Sequence, residues 1–296
     1  MFQKLTLKNS IALGTFDGVH IGHIKVLEMA LSFNAFSPMV VSFSEPPKRS
    51  MGLSDVQLLM TAEGKHDMLL YMGFKNQVYL DFQKVRDMKP SCFVDMLIND
   101  YKAAVIVCGF NYRFGKDGSG DVNFLKSYCE QHSVKCVVCP PAKMDGEVIS
   151  STTIRSLIES GDVSKAARYL GRPVSFQAEV VTGDQRGRTI DYPTINQRFS
   201  DNVVMPKNGV YASYSYVNGK AFPSVTNIGI RPTFLLDKAI SETNIMGIKD
   251  NLYGENIKIE LIQFLREEKK FASLIELKEQ ISRDTNKAKK ILKNLK

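Results

Sequence analysis

No apolar run in this chain approaches the ~20 residues that cross a bilayer. Its first residues, Met1-Phe2-Gln3-Lys4-Leu5, lack the charged-then-apolar order of a signal peptide. A cytoplasmic protein with no membrane partner is the expectation. Cysteine is scarce: five in 296 residues, all between Cys92 and Cys139. An odd count builds no disulfide framework and suits a reducing compartment. Cys136 and Cys139 have a redox-like spacing, but they sit in an apolar strand-like run. Residues three apart on a strand face opposite sides, and no second pair completes a zinc site. They are expected to be structural thiols. Histidine is scarcer still, four in all and none after His132. Any general base in the second half must therefore be a carboxylate, a lysine or a tyrosine. The chain also lacks internal repeats, low-complexity segments, zinc-finger spacing, an RNA-binding aromatic box and a basic zipper. Its net charge of +8 and pI near 9.1 are accordingly read as attraction for small phosphorylated anions, with no nucleic-acid partner. The only local basic excess, Lys287 to Lys296, reads as the solvated face of a last helix.

What is present fits two soluble domains: 296 residues, 44% apolar and 24% charged. The first half alternates apolar runs (Ile11–Leu13, Met39–Phe43, Gln77–Leu80, Ala104–Cys108, Lys135–Cys139) with helical patterns at 22–32, 56–72, 91–100 and 122–131. Such alternation predicts a parallel sheet with helices on both faces. Residues 151–170 read as two short helices around Gly161-Asp162. Beyond Gly171-Arg172-Pro173 the period changes to two, as in Val210/Ala212, Ile228/Ile230 and Ile257/Ile259/Leu261. Turn residues intervene, and Asn218-Gly219 is a strong hairpin signal. A small antiparallel barrel closed by a helix near 273–295 is predicted, with domains 1–170 and 171–296.

The densest chemistry lies early. Gly14-Thr15-Phe16-Asp17-Gly18-Val19 leads into His20-Ile21-Gly22-His23 where a strand turns into a helix. Free backbone N–H groups and the positive helix end favour an anion there, and two imidazoles add donors. The run reads as a nucleotide phosphate site. Gly109-Phe110-Asn111-Tyr112-Arg113-Phe114-Gly115 also begins where a strand ends, the side on which such sheets bind ligands. In Ser150-Ser151-Thr152-Thr153-Ile154-Arg155, hydroxyls, a helix start and a guanidinium suit phosphate, although a plain N-cap remains an alternative. Asp117 to Asp121, with Gly-Ser-Gly between, reads as a flexible flap.

These runs resemble the boxes of the HxGH nucleotidyltransferases, and more closely those of the bacterial bifunctional riboflavin kinase/FAD synthetases. Arg186-Gly187-Arg188 through Pro193-Thr194-Ile195-Asn196 resembles the nucleotide loop of that family's kinase half. Asn227 through Phe234 and Leu265-Arg266-Glu267-Glu268 continue the likeness. The resemblance implies a Rossmann-like α/β nucleotidyltransferase domain followed by a riboflavin kinase barrel. It implies that ATP and riboflavin give FMN, and that ATP and FMN then give FAD and pyrophosphate, with Mg²⁺ as cofactor. In the first domain it assigns His20 and His23 to charge on the departing pyrophosphate. Gly14, Phe16, Asp17, Gly22, Ser151, Thr152 and Arg155 would bind ATP, and Asn111 would contact the FMN or ATP phosphates. In the second, Gly183, Arg186 and Gly187 would form a flap over ATP, and Thr194 and Asn196 would hold Mg²⁺. Glu242 would take the proton of the riboflavin 5′-hydroxyl. Arg266 would fix the flavin or the loop above it, its alternative being an ion pair with Glu267 or Glu268.

Three departures from the pattern stand out. Pro46 occupies a place usually held by histidine, Asp191 replaces a glycine, and Asn244 replaces a histidine two residues after Glu242. They leave two alternatives open: a kinase with weak or lost adenylyltransferase activity, or a flavin-binding protein without turnover. Oligomeric state is not legible.

Overall fold

The computed structural model describes residues 8–44, 57–182, 192–200, 202–233, 236–248 and 250–294. Contacts divide the chain into two compact units, Met1–Ser151 and Thr152–Lys296. Pro46, Asp191 and the loop residues Gly183, Arg186 and Gly187 lie outside the described residues.

The first unit is built on β1 (Asn9–Leu13), β2 (Ser37–Phe43), β3 (Asn76–Leu80), β4 (Ala103–Gly109) and β5 (Lys135–Cys139). All pair in parallel, in the order β3-β2-β1-β4-β5. Parallel strands covered on both faces require apolar side chains on both, and every residue of β1 is buried. One face packs against α1 (Ile21–Leu31) and α2 (Ala62–Tyr71) through Val26, Leu27, Ala30 and Leu69. The other packs against α4 (Pro90–Asn99) and α5 (Val122–Gln131) through Phe93, Val94, Leu97 and Leu125, with a short α3 (Phe82–Val85) nearby in sequence. Cys136 joins the second cluster and Cys139 the first, so the two thiols do face opposite sides of β5.

One expectation needs correction. The helical pattern drawn over 56–72 starts only at Ala62, because the Thr61 hydroxyl accepts from the Gly64 N–H at 3.1 Å and caps it there. Leu58 to Met60 is non-helical, and the Leu59 N–H is given to the Asp17 carboxylate at 2.9 Å. The 117–121 segment, read as a flexible flap, is closed by local hydrogen bonds. Phe114 and Gly120 exchange both backbone hydrogen bonds across a 3₁₀ turn, Lys116–Gly118. Asp121 then caps α5 by accepting from Asn123 and Phe124.

A two-stranded ribbon, β6 (Lys143–Met144) with β7 (Glu147–Val148), leads to α6 (Ser151–Ser160) and α7 (Val163–Leu170). The second unit is a closed barrel in the order β10-β11-β12-β9-β8-β13. Its strands are β8 (Val174–Val181), β9 (Ile195–Arg198), β10 (Gly209–Val217), β11 (Lys220–Thr233), β12 (Leu236–Ile245) and β13 (Asn256–Arg266). Val217 pairs with Lys220 around Asn218 (φ 49) and Gly219 (φ 73), the two positive φ angles of a tight hairpin. Alternation sends small hydroxyls inward: Ser213, Thr226 and Thr243 form a buried chain at 2.8 and 2.9 Å, and Ser215 bonds Ser224 at 2.7 Å. The opposite side chains face outward. There Val210, Ala212 and Val225 pack under Ala288 and Leu292 of the last helix, α8 (Leu274–Lys293). α7 also belongs to this unit by contact: Val163, Ala166, Tyr169 and Leu170 are buried, and the Ser164 hydroxyl donates to the Ile262 carbonyl at 2.9 Å.

Candidate active sites

In the first unit the chain order reverses between β1 and β4. They are neighbours, with Leu13 opposite Cys108. Such a switch point leaves a crevice beyond the strand ends. Gly14–His23 and Gly109–Gly115 are the two segments that leave those ends. The first is tightly wound: Phe16 (φ 50) and Val19 (φ 38) both adopt positive φ, unusual for any non-glycine residue and more so for a β-branched one. The Phe16 ring packs onto Gly14, 2.9 Å from where a Cβ would stand. His20 is the N-cap of α1, its Nδ1 accepting from the His23 N–H at 3.3 Å. That bond places the ring proton on Nε2, which becomes a donor. The His20 and His23 rings stack with centroids 3.6 Å apart, and Phe16 meets His23 edge-on at 5.4 Å. A Cβ on Gly22 would stand 3.0 Å from the His20 ring, a tight contact that glycine avoids. The result is a helix N-terminus carrying two fixed imidazoles, an arrangement suited to an anion.

Ser151, expected to bind phosphate, also has a structural contact. Its hydroxyl donates to the Asp17 carbonyl at 3.0 Å, which ties the start of α6 to the first turn. Thr152 and Arg155 lie in the opening turns of α6, Arg155 one turn beyond Ser151. Asn111 is exposed on the loop after β4, with Arg113 exposed beyond it.

The barrel's pairing register aligns residues far apart in sequence. Asn196 on β9 lies opposite Glu242 on β12, Glu242 opposite Asn227 on β11, Asn227 opposite Val210 on β10, and Val210 opposite Arg266 on β13. Directly paired residues share a face, so this row lies on the outer side of the barrel, and its β10, β11 and β13 members lie on the strands that α8 covers. A cleft of ≈ 250 Å³ opens along it, lined by Glu242, Asn227, Asn244, Arg266, Tyr192 and Phe271, with Leu277, Ile281 and Asp284 from α8. A second, larger cavity of ≈ 570 Å³ lies beside it, lined by Val180, Pro193, Ile195, Thr243, Asn251 and Tyr253 among others. Thr194 lines both.

Arg266 is paired with neither Glu267 nor Glu268 through their side chains. Its Nε and a terminal nitrogen grip Asp284 at 2.9 and 2.8 Å, and Gln280 donates to the same carboxylate at 2.9 Å. Glu267 instead binds Lys207 at 2.8 Å, which holds its carboxyl below the usual range. Asn244, the departure after Glu242, has a clear structural task. Its amide donates to the Pro193 carbonyl at 2.8 Å and fixes the turn that presents Thr194.

Comparison with known proteins agrees with both halves. The family model described as FAD synthetase matches residues 3–153, and that described as riboflavin kinase matches 170–292. The bifunctional riboflavin kinase/FMN adenylyltransferase of Bacillus subtilis is 32% identical over 97% of this chain and 94% of its own. That of Escherichia coli strain K12 is 30% identical over 93% of this chain and 90% of its own. The chain belongs to the bifunctional riboflavin kinase/FMN adenylyltransferase family. A solved structure named macrolide-efflux protein, from Streptococcus pneumoniae, is also similar (TM-score 0.87, 29% identity, 95% of this chain and 94% of that one). Among the described residues of this family member, no helix is long and apolar enough to cross a membrane.

Set against the family's two halves, the structure brings His20, His23, Gly14, Phe16, Asp17 and Gly22 into one turn, to which the Ser151 hydroxyl is bonded. It brings Thr194, Glu242 and Arg266 to one cleft, with Asn196 on the same row. Sequence reasoning missed Asn227, Tyr192, Phe271 and Asp284 in that cleft, and the buried Lys65 near the first turn. A signal existed for Asn227, which opens a box already noted. For Asp284, in a charged amphipathic helix, none did.

Proposed function

We propose that the Gly14–His23 turn and the cleft under α8 are the two active sites of this chain. The protein is a riboflavin kinase and an FMN adenylyltransferase: ATP and riboflavin give FMN and ADP, and ATP and FMN give FAD and pyrophosphate. The observation that carries the assignment of the kinase site is the register row Asn196–Glu242–Asn227–Val210–Arg266. It sets a carboxylate, two amides and a guanidinium on one surface, next to two cavities that meet at Thr194. The larger cavity takes ATP. Val180 at the end of β8 lines it, and the loop bearing Gly183, Arg186 and Gly187 follows in sequence. The cleft takes riboflavin, its isoalloxazine between Tyr192, Phe271 and the apolar side of α8.

Glu242 accepts the proton of the riboflavin 5′-hydroxyl as the γ-phosphoryl group is transferred. Thr194 and Asn196 present a hydroxyl and an amide oxygen beside that carboxylate, a hard oxygen donor set that suits Mg²⁺. When bound there, the ion would neutralise phosphate charge. In the first unit the FMN phosphate attacks the α-phosphorus of ATP. His20 Nε2–H and His23 then stabilise charge on the departing pyrophosphate. Ser151 and Asn111 of the same unit complete the phosphate and FMN contacts. The five free cysteines are in keeping with a reducing compartment, and we propose the cytoplasm.

The test is direct. Purified protein is incubated with Mg-ATP and riboflavin, or with Mg-ATP and FMN, and the flavins are separated by chromatography. FMN should appear in the first case and FAD in the second. Chelation of divalent ions should abolish FMN formation; full FMN formation in excess chelator would contradict the Mg²⁺ assignment.

A further inference from the structure

Lys65 on α2 is only 6% exposed and belongs to none of the sequence boxes. Its Nζ donates to the carbonyl of Phe43 at 2.7 Å and to that of Thr15 at 3.4 Å. Phe43 ends β2, and Thr15 is the second residue beyond β1. The ammonium therefore joins the carboxyl ends of two adjacent strands, on the side where this sheet receives a ligand. Both hydrogen-bond partners are neutral carbonyls. Asp17 acts on the ammonium through space while its Oδ1 accepts from the Leu59 N–H.

Thr15 also opens the turn that carries Phe16 and Val19 at positive φ. Such a backbone persists only where its surroundings over-determine it. Here the restraints are explicit. The Thr15 carbonyl accepts from Lys65 and from the Ser42 hydroxyl at 3.2 Å. The Asp17 side chain is held by Leu59 and its carbonyl by Ser151. Among these restraints Lys65 brings the positive charge.

We propose that Lys65 is a positioning residue for adenylyl transfer, fixing the Thr15 carbonyl and hence the Gly14–His23 turn while placing positive charge behind the bound triphosphate. The inference rests on the reading of that turn as the nucleotide phosphate site. Among the described residues, the ionisable groups that face Lys65 are Asp17 from the turn and Tyr79 from β3, whose ring centroid lies 5.3 Å from Nζ. β2 contributes the Phe43 carbonyl, and His66 follows on α2 against Tyr79. Burial lowers the Lys65 pKa and raises that of Tyr79. Loss of the ammonium proton is therefore expected to weaken adenylyl transfer on the alkaline side.

The test uses the full chain with Lys65→Met, Lys65→Arg and His23→Ala, each assayed for both activities across pH. Every contact named for Lys65 lies within residues 1–151, so riboflavin phosphorylation serves as an internal control for folding. In Lys65→Met, kcat/KM for ATP in adenylyl transfer should fall by roughly 10–100-fold, with riboflavin phosphorylation unchanged. The alkaline limb of the wild-type adenylylation profile should be absent from Lys65→Met and displaced upward in Lys65→Arg, whose guanidinium stays protonated. A folded Met variant within twofold of wild type, or an alkaline limb unmoved in either variant, overturns the proposal. Where Lys65→Met does not fold, the profile of Lys65→Arg decides by itself. Wild-type adenylylation in His23→Ala would instead defeat the phosphate-site reading. An inactive His23→Ala beside an unaffected Lys65→Met would defeat only the role of Lys65.

Discussion

At the scale of single residues, the first site depends on a bond that a sequence pattern does not display. His20 serves the backbone through Nδ1, which assigns the ring proton to Nε2. His20→Ala should therefore harm adenylyl transfer twice, by removing a donor and by uncapping α1. The cap component alone amounts to about 1 kcal/mol of helix stability. His23→Ala leaves the cap acceptor in place, and should lower FAD formation with a smaller fall in melting temperature than His20→Ala. Thermal melts paired with an FMN-to-FAD assay check the order; equal stability losses would contradict the capping role. The residue types at this turn were legible because glycines and histidines are rare and here concentrated. The restraints behind the turn were not. A lysine at position 65 in an amphipathic segment reads as solvated, and only the tertiary structure buries it. In the same way nothing in the sequence shows that the Ser151 hydroxyl donates to the Asp17 carbonyl.

At the scale of elements, the barrel cleft exists because α8 is fastened over the outer face of β10, β11 and β13. The fastening is partly apolar, through Ala288 and Leu292, and partly the Arg266–Asp284 pair. The Asp284 side chain is 6% exposed and that of Arg266 24%. Removing one partner of a pair this buried is costly because the other charge is stranded. Asp284→Ala should lower the stability of the barrel unit by up to about 3 kcal/mol, the lower end of the fully buried range, since Arg266 reaches solvent. Riboflavin affinity should fall with it, because Arg266 and α8 line the same cleft. Denaturant melts and riboflavin titration read the two effects; a stable variant with unchanged affinity would show that α8 needs no such pair. Strand and helix positions in both units were largely legible from apolar spacing, since periods of 3.6 and two follow from burial of one face. Register was not. The row from Asn196 to Arg266 is closed at both ends by pairings between strands distant in sequence, and hydropathy says only which face each residue takes.

At the scale of the whole molecule, the change of period near residue 171 marks the start of the barrel, but the second compact unit begins at Thr152. α7 packs on β8 and β13, and the Lys207 N–H donates to the Ile158 carbonyl of α6 at 3.2 Å. A fragment of residues 152–296 should therefore fold and make FMN. One of residues 171–296 should be less stable by several degrees or aggregate, because it bares the surface that α7 covers. Equal melting temperatures for the two fragments would contradict that packing. The central claim is that one chain carries two chemically separate sites, with the base for phosphorylation on β12. Glu242→Gln in the full chain tests it most directly, because the amide keeps the shape of the side chain but accepts no proton. Assayed with Mg-ATP and riboflavin, FMN formation should fall by roughly 10²–10⁴-fold, the usual reach of a general base. Assayed with Mg-ATP and FMN, FAD formation should stay at the wild-type rate, since the attacking phosphate is already an anion. A Gln variant that phosphorylates riboflavin as fast as wild type, or that loses both activities while folded, would contradict the account.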